Sequence, residues 1–297
     1  MNNLPLISVC VIAYNHERFI LDCLEGIVAQ DYPNIELVIS NDASIDRTHQ
    51  KIESYLEKLE PSRCMKVKYF NQEKNLGINP NLKFALDLCL GDYIAICEGD
   101  DYWLSRDKLS RQFQSIQNTL FSGSFHDVQY KKEGRIFESF ISDFSGLLVN
   151  SLSVITLKEL MASKWLIPTC SFFFKREHLF LPDFFHELKF GDFPLFCSVA
   201  INGDFLFLQE INAVYRMDNP GSQINKIDPL GSVIKHLDYI RFLNWILERK
   251  DYIEIYERIN FHLLRSKLEI ISFQNSSIYK IAKNIQFVII RFLRFLK

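Results

Sequence analysis

The stretch GDYIAICEGDDYW, residues 91–103, joins a buried-strand pattern directly to a run of acidic residues. Residues 92–97 form a mostly apolar run of strand length, and Glu98-Gly99-Asp100-Asp101 follows without a break. A short apolar run that ends at polar residues is typical of a strand covered on both faces. We therefore predict that these acids lie at the carboxyl end of a central strand.

The first 120 residues around this stretch alternate strand and helix patterns. Asn15 stands where an N-cap of the first helix is expected. Alternation of this kind predicts βαβ units and a mainly parallel sheet, whose ligands bind at the carboxyl ends of the strands. The strand patterns cover residues 6–13, 35–40 and 67–70, and the amphipathic helix patterns cover residues 17–30, 47–59 and about 80–91, with Gly91 as the last stop signal.

The second half of the chain is less regular. Strand patterns cover residues 121–130 and 170–175, and a helix is expected to start near Asp192. Two short strands are predicted at residues 205–208 and 213–216. From about residue 231 the periodicity is helical to the end.

Composition favours a folded protein that has no affinity for nucleic acid. Hydrophobic residues make up 48% of the chain, and the formal net charge of −2 gives no overall attraction to phosphate backbones. The seven cysteines lack CxxC spacing, which favours a reducing compartment over disulfides or a zinc knuckle. Neither a signal-peptide pattern nor an apolar run of about 20 residues is visible, so a cytoplasmic location is expected.

Three acids follow predicted strands at the same edge of the sheet, namely Asp42, Glu98 and Asp100. Carboxylates that converge in this way repel one another unless a cation joins them. A divalent ion with a diphosphate is a natural partner, because Mg²⁺ and Mn²⁺ accept carboxylate and phosphate oxygens. Gly99 between the acids lets the backbone pass close to a ligand. The alternative is that all three are ordinary solvated turn residues.

Four segments, taken together, resemble the donor-binding half of family 2 glycosyltransferases, which are inverting enzymes with the GT-A fold. The resemblance spans residues 7–114, and its order and spacing are specific. It implies a GT-A domain over residues 1–225, with a donor half at about 1–118 and an acceptor half at about 119–225, followed by a helical region at 226–297. The segments are SVCVIAYN at 8–15, ELVISNDASIDRT at 36–48, NLG at 75–77 and residues 91–103.

The resemblance also implies roles at the nucleotide-sugar site. Asp42 would accept a hydrogen bond from the donor base, commonly uracil, although a carboxylate there can also pair with guanine. Asp100 would be the direct ligand of Mn²⁺ or Mg²⁺, with Glu98 nearer the ribose or a metal-bound water, and the metal would neutralise the departing diphosphate. The other implied residues are Ala13, Tyr14, Asn15, Glu17, Lys83, Gly99 and Arg216, of which Lys83 equally fits an exposed helix lysine.

An inverting transfer needs a base for the acceptor hydroxyl, and the resemblance places that base where a helix begins in the second half. Asp192 fits this place, with Asp183 and Glu187 as rivals, or Asp192 only caps its helix. The acceptor side is predicted to include Trp103, Thr169 and Ser171, although the two hydroxyls could instead bond to nearby backbone.

The family's late Tyr-Arg element resembles Tyr215-Arg216, where Arg216 would offer paired donors to a phosphate. The chain departs from the family directly afterwards. Asp218 stands where a histidine often helps to hold the diphosphate, which leaves the phosphate and metal contacts there open.

Residues 270–297 contain no Asp or Glu. Helical spacing places five basic residues within one arc and apolar residues over much of the remainder. This pattern predicts that residues 280–297 bind an anionic membrane surface, on the inner face of the cell membrane; the alternative is a helix packed on the domain. The basic residues are Lys280, Lys283, Arg291, Arg294 and Lys297.

The sequence therefore predicts an inverting transferase that moves a sugar from a nucleoside-diphosphate sugar, UDP-linked by preference, to a glycan or lipid-linked glycan of a surface polysaccharide or lipopolysaccharide. A catalytically inactive GT-A protein that binds nucleotide-sugars or acts as a scaffold is the alternative. A nucleotidyltransferase would need a Gly-rich basic loop, which Ala13-Tyr14-Asn15-His16-Glu17 does not provide.

Overall fold

The structure is a computed structural model that describes residues 4–59, 65–144, 154–162, 166–217, 229–250 and 252–274. Contacts between residues divide the chain into two units, residues 1–222 and residues 223–297. The first unit contains a sheet flanked by helices, and the second contains two described helices. The predicted C-terminal membrane segment, residues 280–297, lies outside the described residues, as does Asp218.

The strands are β1 Ile7–Ala13, β2 Ile35–Asn41, β3 Met65–Asn71, β4 Tyr93–Ile96, β5 Tyr102–Trp103, β6 Gly123–Lys132, β7 Arg135–Phe137, β8 Val154–Ile155, β9 Phe173–Lys175 and β10 Phe205–Arg216. The helices of the first unit are α1 Ile20–Val28, α2 Thr48–Leu56, α3 Ile78–Asp87, α4 Lys108–Ile116, α5 Phe140–Phe144, α6 Leu157–Ala162 and α7 Asp192–Ala200. Short 3-10 helices span Thr169–Ser171, Arg176–His178 and Phe185–Glu187. The second unit contains α8 Pro229–Leu247 and α9 Ile253–Gln274.

All the strands listed above join one sheet. Its order is β3-β2-β1-β4-β9-β6-β10-β5, with β7 beside β6 and β8 beside β10. The first four strands are parallel, β9 runs antiparallel to β4 and β6, and β10 is parallel to β6. The predicted α/β fold with a mainly parallel sheet is therefore confirmed.

The sheet is covered on both faces where the sequence is most apolar. Every residue of β1 and β2 is buried, as expected for parallel strands between two helical layers. Buried cysteines fill part of this core as small apolar side chains. Among the described residues, Cys10, Cys23, Cys89, Cys97, Cys170 and Cys197 are free thiols and buried.

Glu36 is the charged residue within β2. Its side chain is 1% exposed, and its carboxylate pairs with Lys68 Nζ on β3 at 2.9 Å. It also accepts hydrogen bonds from the Ser8 hydroxyl and from the backbone N–H groups of Leu90 and Gly91, the latter at 3.0 Å. One carboxylate thus ties together three strands and the turn before β4.

Two local predictions are wrong. Asn15 does not cap α1, because the N-cap is Phe19, and Asn15 instead adopts a left-handed φ of 57°. Its Oδ1 accepts the N–H of Ile45, so the side chain joins two loops rather than starting a helix. The helix α3 ends at Asp87, four residues before Gly91, whose tight packing against Ser8 leaves no room for a Cβ atom.

The two short strands predicted at residues 205–208 and 213–216 form the single strand β10. Its pairing with β6 shifts register between Leu208 and Ile211 and again between Ile211 and Val214. The polar residues between the two apolar runs therefore sit at irregularities within one strand.

In the second unit, the helices α8 and α9 pack against each other. His236 and His262 join α8 to α9 through their Nδ1 atoms at 2.8 Å, and Tyr239 stacks on His262 with ring centroids 4.2 Å apart. The helix α9 also exposes apolar side chains. Among the described residues, no helix combines the length and apolar character needed to cross a membrane.

Candidate active site

The carboxyl ends of three neighbouring strands form one edge of the sheet. β2 and β4 flank β1, and both pair with it in parallel. Asp42 follows β2, whereas Glu98 and Asp100 follow β4. Residues 98–101 form the acidic turn. The N–H of Gly99 donates to the carbonyl of Ile12 at 2.9 Å, which holds the acidic turn against β1. The topology thus brings the three acids to the same edge.

Three carboxylates of the acidic turn converge closely enough to share an ion. Glu98, Asp100 and Asp101 each present an oxygen within 4.8 Å of the others. Asp101 is fully buried, and its Oδ1 accepts the backbone N–H of Arg216 at 2.8 Å. Its Oδ2 has no N–H or O–H partner among the described residues, and the neighbouring Cys170 thiol is only a weak donor. A buried carboxylate oxygen without a strong partner fits a cation ligand.

Electrostatics supports the same interpretation of this cluster. Burial raises the pKa of Glu98 well above its usual range, and the charges of Asp192, Asp100 and Asp101 raise it further. Burial and the charge of Asp100 likewise raise the pKa of Asp101. A hard divalent cation would relieve this repulsion, and all the available donors are oxygens. The residues therefore fit the predicted Mn²⁺ or Mg²⁺.

His16 packs over the acidic turn, and the sequence did not single it out. A Cβ atom on Gly99 would lie 2.9 Å from His16 Nδ1, so this glycine is needed for the close approach. His16 Nε2 lies 3.8 Å from Asp100 Oδ2. Burial lowers the pKa of His16, although Asp100 and Asp46 oppose that shift. The lowered pKa favours the neutral form of the His16 ring.

Arg216 holds the acidic turn from the other side. Its guanidinium donates to the carbonyl of Asp100 at 2.7 Å and pairs with Asp22. The same group stands 4.4 Å from the ring centroid of Tyr102 and 4.9 Å from that of Phe19. In the structure Arg216 therefore binds the backbone of the site, and its predicted contact with a phosphate stays a prediction.

Asp42 lies 3% exposed below the loop that precedes α3. Its two carboxylate oxygens accept the N–H groups of Leu76 and Gly77 at 2.6 and 2.9 Å, and its own N–H donates to Ala13. Burial raises the pKa of Asp42, although those two hydrogen bonds oppose the shift. A donor base would have to use the remaining lone pairs, since each oxygen carries two.

The loop after β1 is fixed by the loop after β2. The N–H of Asn15 donates to the Ser44 hydroxyl at 2.9 Å, and the side chain of Glu17 accepts the N–H of Arg47 at 3.0 Å. Tyr14, the residue before Asn15, is half-buried. Contacts within the protein therefore hold two of the predicted nucleotide-binding residues of this loop, Asn15 and Glu17.

Four predicted residues have contacts that do not involve the acidic turn. Lys83 pairs with Asp87 one turn along α3, with Nζ and Oδ2 2.7 Å apart. The Ser171 hydroxyl donates to the carbonyl of Pro168, which is the local bond weighed as its alternative. Thr169 and Trp103 are each 4% exposed, and Trp103 Nε1 donates to the carbonyl of Cys170 at 2.8 Å. Their predicted roles stay untested.

Asp192 is the first residue of α7, and Gly191 occupies the N-cap position. Its charge contributes to the raised pKa of Glu98, so the two carboxylates lie within electrostatic range of each other. The rivals Asp183 and Glu187 are exposed and do not contribute to that shift. Of the three candidates, Asp192 is the one whose charge acts on Glu98, and its role as the base stays a prediction.

The chain is similar in sequence to several known proteins. Residues 8–179 match the sequence model of the family described as Glycosyl transferase family 2. An uncharacterized protein of Mycobacterium tuberculosis is 30% identical over 212 residues, which span 70% of this chain and only 58% of that relative. A Bacillus subtilis protein named for teichuronic acid biosynthesis, the glycosyltransferase TuaG, is 30% identical over 121 residues, 41% of this chain and 46% of its own.

Two solved structures are similar in fold. Residues 1–349 of TarS from S. aureus, in complex with UDP-GlcNAc, superimpose with a TM-score of 0.64 and 19% identity over 91% of this chain and 73% of that one. The mannosyltransferase PcManGT from Pyrobaculum calidifontis, in complex with GDP-Man and Mn²⁺, has a TM-score of 0.59 and 16% identity over 97% and 81%. At such identities the likeness concerns the fold, and it agrees with the predicted GT-A class.

Proposed function

The chain belongs to glycosyl transferase family 2, and from this premise we propose that it transfers a sugar, with inversion, from a nucleoside-diphosphate sugar to a hydroxyl of a glycan acceptor. Membership of this family supports activity as a glycosyltransferase. The observation that carries the finer proposal is the acidic turn, where Glu98, Asp100 and Asp101 converge and Asp192 lies within electrostatic range. The first three carboxylates could bind a metal ion with its diphosphate, and Asp192 would remain available as a base.

We assign Mn²⁺ or Mg²⁺ to Asp100 and Glu98, and the closeness of Asp101 to both supports it as a third oxygen donor. When bound, the ion would supply Lewis-acid neutralisation of the departing diphosphate. The chain's own groups have other roles: Gly99 keeps the turn close to β1, and Arg216 fixes the carbonyl of Asp100. Mn²⁺ in the complex of the mannosyltransferase supports this choice of ion.

For the donor we propose a uridine nucleotide. Asp42 would accept the N–H edge of the base through its free lone pairs, while Ala13, Tyr14, Asn15 and Glu17 line the base and ribose. The UDP-GlcNAc complex of TarS supports uridine, whereas the GDP-Man complex of the mannosyltransferase makes guanosine the competing choice. Turnover measured with several nucleotide-sugars identifies the sugar.

Asp192 is proposed as the general base of the reaction. It would take the proton of the acceptor hydroxyl as that oxygen attacks the anomeric carbon opposite to the departing diphosphate. Its place at the start of α7 and the effect of its charge on Glu98 support this role. The predicted acceptor-side residues would then line the pocket for the acceptor; they are Trp103, Thr169 and Ser171.

The acceptor is proposed to be a glycan or lipid-linked glycan of a surface polysaccharide, with the enzyme peripheral on the inner face of the cell membrane. The name of the relative TuaG supports the polysaccharide class. Exposed apolar side chains on α9, among them Ile253, Leu264 and Leu268, support contact with a lipid surface. Sedimentation with anionic phosphatidylglycerol vesicles, but not with neutral phosphatidylcholine vesicles, is the expected result, and Lys280→Glu with Lys283→Glu should weaken it.

The test of the proposed function is turnover against UDP-GlcNAc, UDP-glucose, UDP-galactose and GDP-mannose with Mn²⁺. We expect slow hydrolysis of one uridine donor in the absence of an acceptor, and its loss in Asp100→Ala. The exposed acid Asp183 gives a matched control, since Asp183→Ala removes a carboxylate outside the acidic turn. Full activity of Asp100→Ala would overturn the metal assignment, and nucleotide binding without any turnover would favour a binding or scaffolding protein.

A further inference from the structure

Asn79 connects the donor side of the site to the segment that precedes α7. It lies in the first turn of α3, two residues after Gly77, whose N–H donates to Asp42 at 2.9 Å. The side chain of Asn79 is 3% exposed. Its Nδ2 donates to the carbonyl of Leu188 at 2.6 Å and to that of Phe190 at 3.0 Å. Both hydrogens of the amide are therefore used on one short stretch of backbone.

The other atom of the same amide packs against the next residue of that stretch. A Cβ atom built on Gly191 would lie 2.4 Å from Asn79 Oδ1 and 3.8 Å from Leu82 Cδ2. The backbone of Gly191 thus lies directly on the side chain of Asn79. Asp192 follows at once as the first residue of α7. A single side chain from α3 therefore contacts residues 188, 190 and 191, which lead into Asp192.

A reacting carboxylate is useful only where the backbone that carries it is held in place, because small displacements of a reacting group are costly. Glu98 is held through its neighbour Gly99, which bonds to β1. The segment before Asp192 is held by the two bonds from Asn79.

We propose that Asn79 is a positioning residue for Asp192: it fixes residues 188–191 so that the carboxylate stays where it can take the proton of the acceptor hydroxyl. Asn79 touches neither substrate nor the reacting atoms and acts through backbone alone. The proposal rests on the proposed role of Asp192 as the general base. It also makes the start of α3 a shared support, with Gly77 serving Asp42 and Asn79 serving Asp192.

The test compares Asn79→Asp with wild type in the full chain. This substitution keeps the shape of the side chain that packs on Gly191, but it replaces the NH2 group, and with it both hydrogen-bond donors, with an oxygen. We expect hydrogen exchange of the amides in residues 188–192 to speed up about 10-fold, since two hydrogen bonds are lost. Turnover of the best donor of the panel should fall about 10- to 100-fold, because small displacements of a reacting group are costly. The Kd for UDP with Mn²⁺ should stay within about 2-fold, since uniform binding is retained.

Asn81 provides the matched control on the same helix. It is 2% exposed, and its Nδ2 donates to the carbonyl of Ser40 at 3.2 Å rather than to the segment before α7. Asn81→Asp should cost comparable stability and leave both exchange at residues 188–192 and turnover near wild type. An equal acceleration of exchange in Asn81→Asp would show that any damage to α3 has the same effect, which would overturn the proposal.

Asp192→Asn separates this inference from the function on which it rests. If Asp192 is the base, Asp192→Asn loses turnover with normal exchange at residues 188–192, and adding Asn79→Asp causes no further loss. Full turnover in Asp192→Asn would sink the base assignment, whereas the exchange result for Asn79 would still show whether it holds the segment. Unchanged exchange in Asn79→Asp, or a further 10-fold loss of turnover in the double variant, would overturn the positioning role.

Discussion

Glu36 shows how a single buried carboxylate can stabilise a parallel sheet. Burial by itself would raise the pKa of Glu36, but the bonds from Ser8, Lys68 and Leu90 lower it overall. A group whose pKa is lower in the folded chain stabilises the fold above its ordinary pKa of 4.5 and loses that contribution as the pH falls. Glu36 therefore stabilises the protein at neutral pH and ceases to do so in acid.

We expect Glu36→Gln to lower the free energy of unfolding by about 2–3 kcal/mol at pH 7, since hydrogen bonds to a charged group are lost. The difference from wild type should shrink as the pH falls below 4.5, because the unfolded chain then takes up a proton on Glu36 before the folded chain does. Urea unfolding between pH 3 and 7 measures both effects, with the exposed Glu57→Gln as control. A pH-independent difference would contradict the assignment.

For Asp192 the expectation concerns rate rather than stability. Replacing a general base with a neutral side chain of the same shape should lower kcat about 10²- to 10⁴-fold while the Kd for the nucleotide stays unchanged. Asp183→Asn and Glu187→Asn remove the two exposed rivals and should leave kcat near wild type. Steady-state kinetics with the best donor, together with calorimetric binding of UDP and Mn²⁺, tests the assignment. A large loss in either rival would transfer the role.

At the scale of single residues, the sequence identified the acids but not their partners. Glu98 and Asp100 stand out because a strand pattern runs straight into them. The sequence does not single out Asp101, because nothing in the neighbouring residues distinguishes a buried acid from a solvated one. His16 and Asn79 act through side chains folded onto distant segments, and no spacing in the sequence reports such contacts.

The helix α4 carries an unusual core residue at its first position. Lys108 is fully buried, donates to Gln112 at 2.7 Å and stands 4.1 Å from the ring centroid of Trp103. Burial lowers the pKa of Lys108 to about 7, whereas its ordinary pKa is 10.5. Between these two values the unfolded chain binds the extra proton. The free energy of unfolding therefore increases with pH between about 7 and 10.5, and it is lower below pH 7.

Lys108→Met tests this statement, because Met fills the space and cannot titrate. We expect the free energy of unfolding of wild type, minus that of Lys108→Met, to rise with pH by about 1 kcal/mol per unit between pH 7 and 10. Groups that titrate in both proteins cancel in this difference. Guanidinium unfolding at several pH values provides the measurement, and a flat difference would mean that Lys108 keeps its ordinary pKa inside the fold.

At the scale of elements, the strands β1 to β4 were predicted to within a few residues. β1, β2 and β4 are almost entirely buried, whereas the residues of β3 are half-buried or exposed. The strand β5 was missed, since Tyr102–Trp103 becomes a strand only by pairing with Val214 and Ala213 far along the chain. The split of β10 was wrong for the opposite reason. Its polar middle looks like a loop, but pairing with β6 carries the strand across the two register shifts.

The molecule as a whole should respond to metal and nucleotide together. Without a cation, the acidic turn holds mutually repelling carboxylates, so Mn²⁺ and UDP are expected to bind better together than alone. The thermal midpoint should therefore rise more with both ligands than the sum of the separate shifts, and EDTA should remove the gain. The gain should also grow from pH 5 to 8, because the metal competes with protons on Glu98 and Asp101, whose pKa values are raised. Equal stabilisation by UDP in EDTA would contradict a metal site.

The division into two units was anticipated only in outline. A boundary near residue 225 was predicted from the change to helical periodicity, and the contacts of the structure divide the chain after residue 222. The role proposed for residues 280–297 depends on a segment that lies outside the described residues, so it stays a prediction from charge pattern.

The buried free thiols make the protein sensitive to reagents that its folded form excludes. Cys97 immediately precedes Glu98 and is fully buried, and burial raises the pKa of its thiol well above the usual range. A maleimide can modify Cys97 only after the end of β4 has opened, so the rate of alkylation reports that opening. Mass spectrometry of the Cys97 peptide, with and without UDP and Mn²⁺, would then measure occupancy of the acidic turn in a protein that carries no introduced label.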